Sequence, residues 1–235
     1  MTILHLIPVG LGDSAPERWL PQTAREIAAQ LRFFIAENAK SARAFLKLIG
    51  TAVPLQEITI HTLRADTTAQ EIRDWLAAVP TDQDLALVSE AGCPAVADPG
   101  ALVVAQAQAR GLRVQPWTGP SSIMLGLMAS GLQGQRFAFH GYAPVKAHER
   151  DAQLRAWESL SHKHQQTQIL IETPYRNLAL FEALLSVLRE STRLCVASSL
   201  TCKEESVRTL SIQEWRKAGA PDFERQPTLF LFLAG

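Results

Sequence analysis

Leu85-Ala86-Leu87-Val88-Ser89-Glu90-Ala91-Gly92-Cys93-Pro94-Ala95-Val96-Ala97-Asp98-Pro99-Gly100 is the stretch on which the fold turns. Leu85 to Val88 is an apolar run of the length of a buried strand. The chain then passes abruptly into small residues, prolines and carboxylates. After Asp98-Pro99-Gly100 a helical pattern follows, Ala101 to Arg110, with Gly111 placed to cap its end. The segment therefore predicts strand, long shaped loop, helix. In open α/β folds a ligand sits beyond the carboxyl ends of the strands, where such loops lie. Gly92, without a Cβ, allows close backbone approach to a ligand, and Pro94 and Pro99 stiffen the loop around it. The competing reading is a plain connection built from turn residues, but most connections run to about four to six residues, and this one is longer.

The 235 residues allow one large domain or two small ones, and 47% hydrophobic with 20% charged content fits a globular chain with a real core. Lys plus Arg equals Asp plus Glu at 23 each, which removes any global electrostatic case for nucleic acid and leaves only a local patch. Cys93, Cys195 and Cys202 show neither metal-ligand spacing nor a disulfide framework, so a reducing cytoplasm is expected and no metal. The N-terminal apolar run is broken by His5, Pro8 and Gly10, unlike a signal peptide, and no apolar stretch is long enough to span a bilayer.

Strands are expected at Ile3–Ile7, Arg32–Ala36, Ile58–His61, Leu112–Pro116, Arg136–His140, Thr167–Glu172, Leu194–Ser198, Ser206–Leu210 and Thr228–Ala234, with helices between most of them. The first strand ends in Pro8-Val9-Gly10-Leu11-Gly12, a glycine turn that lacks the third glycine of a dinucleotide fingerprint. Thr68 and Glu71 form a capping box. Gly141-Tyr142-Ala143-Pro144 is expected to break the strand before it. Asn177–Arg189 reads as an amphipathic helix with Leu178, Phe181, Leu184, Leu185 and Leu188 on one face. Gly119-Pro120-Ser121-Ser122 precedes a helix rich in small residues. It lacks the closing glycine of a nucleophile elbow, and no His or carboxylate partner is assignable, so a serine hydrolase is disfavoured. A domain boundary is placed near Gly119, giving residues 1–118 and 119–235.

These motifs together resemble the tetrapyrrole methylase superfamily of S-adenosylmethionine (SAM) methyltransferases, and within it the branch that methylates a cytidine ribose 2′-oxygen in small-subunit ribosomal RNA. The resemblance rests on Pro8-Val9-Gly10, on Val88 to Pro94 with Asp98-Pro99-Gly100, and on Thr118-Gly119-Pro120 with Ser130-Gly131-Leu132. It also rests on Arg136-Phe137 with Gly141 to Pro144, and on Ile171 to Arg176. It implies two α/β domains with a cofactor cleft between them (the class III methyltransferase fold), a homodimer, and SAM as cofactor. It implies a pocket lined by Pro8, Gly10, the loop Ser89, Glu90, Ala91, Gly92, Pro94 and Val96, with Ser121 and Ser122, and by Ile171, Ser198, Ser199 and Thr228 from the second domain. The acceptor is expected to be RNA or a small molecule such as a tetrapyrrole; a module that holds SAM without turnover is the third reading. The chain departs from the ribosomal branch where Asn38 replaces an acidic residue and where Ser198-Ser199 replace an Arg-Glu pair, a loss of phosphate-reading chemistry.

Methyl transfer needs alignment and exclusion of water, and a hydroxyl acceptor needs a base as well. The candidates are Glu37, Glu90, Asp98, Glu172 and Arg176. Each has a structural alternative: Asp98 before Pro99-Gly100 as a turn former, Glu37 as a favourable charge at a helix start. Cys93 is expected to be a small buried thiol rather than a nucleophile.

Overall fold

A computed structural model describes residues 2–223 and 225–235. Contacts group the chain into two compact units, Met1–Ser121 and Ser122–Gly235.

The first unit contains β1 (Ile3–Ile7), α1 (Gln22–Gln30), β2 (Phe33–Ala36), α2 (Ala39–Ile49), β3 (Thr59–Thr62), α3 (Ala69–Ala78), β4 (Leu85–Val88), α4 (Ala101–Ala109) and β5 (Arg113–Pro116). All five strands are parallel, in the order β3-β2-β4-β1-β5. Parallel sheets are covered on both faces, which is why β2 and β4 read as unbroken apolar runs. Every residue of β4 is buried. Strand alternation divides these residues between two cores. Ile7, Phe34, Ala36, Ala86 and Val88 pack with α1 and α2 on one face. Leu4, Ile35, Leu85 and Leu87 pack with α3 and α4 on the other.

Local signals fix the helix ends. Asn38 caps α2, its side chain accepting from Lys40 N at 2.8 Å, and Gly50 closes the helix at φ +76°. The Thr68–Glu71 capping box opens α3. The buried His5 is paired on both ring nitrogens, lying between Asp84 Oδ2 (3.3 Å) and the indole N–H of Trp117 (3.2 Å).

The second unit contains α5 (Ser122–Ser130), β6 (Phe137–Tyr142), α6 (Ala147–His164), β7 (Thr167–Glu172), α7 (Asn177–Val187), β8 (Arg193–Ser198), β9 (Ser206–Ser211), α8 (Ile212–Ala218) and β10 (Thr228–Leu233). Its sheet is mixed, in the order β6-β7-β10-β8-β9, with β6 and β7 parallel and the remaining pairs antiparallel. Leu170, Leu194, Val196, Phe230 and Phe232 pack with α6, α7 and α8 in one aromatic-rich core. Leu229, on the other face, packs against α5 at Gly126. Among the described residues no helix is long and apolar enough to cross a membrane.

Two expectations are corrected. Gly141 does not end its strand: β6 runs to Tyr142, with Gly141 at φ +67° and a register shift between Phe139 and Tyr142. A bulge absorbs the irregular residue without breaking the pairing. The buried face of α7 is Asn177, Leu180, Phe181, Ala183 and Leu184, while Leu178 is half exposed. The helix is apolar nearly all round, so periodicity alone selects its face poorly.

Candidate functional site

The three central strands of the first sheet leave their carboxyl ends in two directions. The chain after β1 and after β2 goes to the face carrying α1 and α2, whereas the chain after β4, lying between them, goes to the face carrying α3 and α4. The end of β4 is therefore a topological switch point, where divergent loops leave a crevice. Three of the quoted motifs meet there. Val9 and Gly92 exchange backbone hydrogen bonds at 3.0 and 3.1 Å, fastening the glycine turn after β1 to the loop after β4. A Cβ on Gly119 would stand 2.2 Å from the ring of Pro8, so the Thr118-Gly119-Pro120 segment lies flat on Pro8 as only glycine permits. The Cys93 thiol donates to Pro120 O at 3.3 Å, and burial raises its pKa. It is a protonated tether, half-buried where a buried thiol was expected.

The loop Ser89–Val96 is held from inside. Ser89 is buried and its hydroxyl donates to the carbonyls of Ala91 and Gly92. Gly92 sits at φ +75°, with Pro120 O and Leu11 Cδ2 3.2 Å from where a Cβ would be. Ala95 and Ala97 adopt φ of 65° and 61°, a left-handed conformation that costs an alanine roughly 1–2 kcal/mol. Asp98 fixes that shape, accepting from Ala95 N at 2.9 Å and Gly100 N at 2.7 Å. Asp98 is thus the turn former of the two readings offered for it. Pro94 is buried inside this loop, whereas Ala91 and Val96 face solvent.

Glu37, just past β2, reaches across to this loop and accepts from Glu90 N at 3.3 Å. Burial is the main cause that lifts its carboxyl above the usual carboxylate range, the charges of Asp98 and Glu90 add to it, and the Glu90 N–H opposes. Glu90 is exposed, and the Ser41 hydroxyl sits against its Oε1. Beside these residues an open groove of about 450 Å³ runs from Gly10, Glu90 and Ala91 along Trp19, Phe45 and Leu48. Trp19, Phe45, Leu48 and Ser41 escaped sequence reasoning, because nothing in their spacing distinguishes a groove wall from a core face.

In the second unit, register places Glu172, Thr228 and Ser198 side by side on β7, β10 and β8, with Ile171 opposite Leu229 one step along. Glu172, Ser198, Ser199 and Thr228 are all buried. Glu172 Oε1 accepts from Thr173 N at 2.7 Å, and Oε2 lies 2.8 Å from Arg176 Nη2, an ion pair out of hydrogen-bond alignment. Arg176 also donates to Ala143 O at 3.3 Å. Thr228 Oγ1 accepts from Asn177 Nδ2 at 3.0 Å, and Ser199, at φ 50°, bonds Gln226 Oε1 through its hydroxyl at 3.0 Å. Ser121 closes the first unit and Ser122 opens α5. Each sheet therefore gathers its own share of the expected residues at one end.

Residues 4–215 match the family model described as Tetrapyrrole (Corrin/Porphyrin) Methylases. The ribosomal RNA small subunit methyltransferase I of Xylella fastidiosa (strain Temecula1) is 33% identical over 207 residues, covering 87% of this chain and 70% of that protein. The protein of the same name from Pseudomonas aeruginosa is 31% identical over 219 residues, covering 93% and 73%. Among solved structures, the methyltransferase CobJ superimposes with a TM-score of 0.65 at 14% identity, over 100% of this chain and 95% of that one. At that identity the superposition speaks for the fold.

Proposed function

Because the chain belongs to the tetrapyrrole (corrin/porphyrin) methylase family, and so to the methyltransferases, we propose that it methylates a ribose 2′-oxygen of small-subunit ribosomal RNA with SAM as donor. The observation that carries this reading is the convergence of three loops on the carboxyl end of β4, beside a carboxylate with a raised pKa. The names of the relatives, matched over 87% and 93% of this chain and 70% and 73% of their own length, support the RNA acceptor.

The chemistry at the β4 exit fits the cofactor. Glu90 and Asp98 put negative charge there, as suits a cationic sulfonium. When bound, SAM supplies an electrophilic methyl group on that sulfonium. In this reading Pro8, Gly10, Ser89, Ala91, Gly92, Pro94, Val96 and Ser121 are the cofactor residues of the first unit, and Ser122, Ile171, Ser198, Ser199 and Thr228 those of the second. The rigidity of the Ser89–Val96 loop, pinned by Asp98 and the Val9–Gly92 bridge, supplies the alignment on which rate depends.

Glu37 is the base. Asp98 is occupied by backbone N–H groups and Glu172 by Thr173 N and Arg176, and Glu90 abuts Ser41. Among the described residues Glu37 receives a single hydrogen bond, at Oε1, which leaves Oε2 to take the hydroxyl proton. A carboxylate shifted upward is better matched to a weakly acidic hydroxyl near neutral pH. Glu172 and Arg176 act as a positioning pair at the exit of β7.

Glu37→Gln is expected to lower kcat by roughly 10²–10⁴-fold while leaving SAM affinity intact by calorimetry. Unchanged turnover would remove Glu37 from the chemistry, and absence of SAM binding by the wild type would end the cofactor reading. Nucleoside mass spectrometry of ribosomal RNA from cells lacking the gene is expected to show loss of one 2′-O-methylcytidine. An unchanged profile would turn the acceptor to a small molecule, a reading favoured by Ser198-Ser199, which offer no cation at the second unit's strand ends. The reading carries with it a cytoplasmic homodimer, which light scattering of the purified protein tests.

A further inference from the structure

The chain is neutral overall, with 23 basic and 23 acidic residues, yet the solvent face of α2 carries one sign. Lys40, Arg43 and Lys47 are all exposed. Their spacing of three and four sets them along one side of the helix, over about 10 Å at 1.5 Å per residue. Among the described residues none of them pairs with a carboxylate; Arg43 donates only to Ala39 O, at 3.4 Å. By contrast, neighbouring Arg25 and Arg32 are paired with Glu17 and Glu57.

The adjacent stripe of the same helix, Ala44 and Leu48, walls the open groove of about 450 Å³, with Leu48 52% exposed. Across the groove stands Trp19, its ring held by a hydrogen bond from Nε1 to Ser14 O at 3.2 Å and tilted 36° on Phe45. Among the described residues no cation lines the groove, and Glu90 does, so it suits an uncharged planar group and repels a phosphate. A row of unpaired cations beside an aromatic-walled slot is how proteins hold single-stranded nucleic acid, with phosphates on the cations and a base against the ring. An acidic peptide would satisfy the cations but leave the aromatic slot unexplained.

We infer that α2 is the acceptor-RNA docking element: single-stranded RNA runs its phosphates along Lys40, Arg43 and Lys47 and places one base in the groove between Trp19 and Leu48. This rests on the RNA-methylation reading above and adds to it the surface that selects the strand. Because Glu90 and Ala91 line the groove, a base seated there lies beside the loop assigned to the cofactor.

The test uses the full chain and a fluorescein-labelled single-stranded RNA, with affinity measured by anisotropy over a range of KCl concentrations. The triple variant Lys40→Glu, Arg43→Glu, Lys47→Glu is expected to lose at least about tenfold in affinity. Its slope of log K against log [salt] should flatten by about 2, since each phosphate contact on a single strand contributes about 0.7. A charge-matched control, Arg155→Glu, Lys163→Glu, Lys217→Glu, should keep most of both. Leu48→Asp should weaken binding with the slope unchanged. SAM calorimetry on each variant establishes that it is folded. Equal losses in the two triple variants, or an unchanged slope in the α2 triple, would overturn the inference while leaving RNA methylation standing. Failure of the wild type to bind RNA, with an unchanged ribosomal nucleoside profile, would overturn both.

Discussion

At Gly92 the backbone turns through φ +75° while Leu11 and Pro120 crowd the position from either side. An alanine there takes on a left-handed conformation costing roughly 1–2 kcal/mol, and its methyl meets a carbonyl oxygen that cannot move without dragging the Cys93 tether. Gly92→Ala should therefore lower stability by about 2 kcal/mol in urea denaturation, more than the entropic gain of removing a glycine returns. Glu37 illustrates the opposite case, a residue whose behaviour depends on what surrounds it. Burial, helped by Asp98 and Glu90, raises its pKa in the folded state above the value of 4.5 it has when exposed. The folded state therefore binds this proton more tightly than the unfolded one, and stability falls as pH rises from that value through the raised one. Glutamine keeps the acceptor for Glu90 N and cannot ionise. Glu37→Gln should melt above the wild type at pH 7 to 8, and the gap should close below the unfolded pKa; a constant gap would place the effect elsewhere. The Thr68–Glu71 box and the turn-forming role of Asp98 were legible in sequence, because both are settled within a few residues. The state of Glu37 was not, because its main cause is burial, which tertiary packing sets, and the charges that add to it lie 53 residues away at Glu90 and further on at Asp98.

Elements differ in how far their own residues determine them. The β4 strand, buried at every position, was plain from its apolar run. Ser211 and Glu214 form a second capping box, with Glu214 Oε2 accepting from Ser211 N at 2.8 Å. The same signature went unread there because a strand of alternating residues runs directly into it. Ser211→Ala should cost about 1 kcal/mol in denaturant melts, against a few tenths for Ser211→Gly. In α7 the expected Phe181 and Leu184 are buried and Leu185 packs on the same core, but Leu178 was misplaced because both sides of the helix are rich in leucine. The choice between Leu178 and Leu180 was made by the aromatic cluster of Phe181, Trp215, Phe223 and Phe230 that the helix covers. In β6, Gly141 carries the punctuation of a strand end, yet pairing with β7 resumes at Tyr142, since the parallel neighbour supplies partners beyond the bulge.

At the scale of the whole molecule, a ligand that binds only the folded chain must raise its stability by mass action. SAM at one hundred times its dissociation constant should add about 2.7 kcal/mol to unfolding, read as an upward shift in melting temperature. No shift at any concentration would sink the cofactor assignment, while a shift abolished by Gly92→Ala would tie it to the β4 exit. The sequence by itself determined the α/β class, the strand runs, most helix ends and the motifs that carry the family, because apolar periodicity, caps and turn residues act over short spans of chain. Only the tertiary structure decided which of those motifs meet: Gly119 flat on Pro8, Gly92 bridged to Val9, Glu37 against Glu90, and Thr228 between Glu172 and Ser198. The reason is that a strand's residues specify its conformation and its apolar faces, whereas its neighbours are chosen by how crossovers and packed helices close over the sheet.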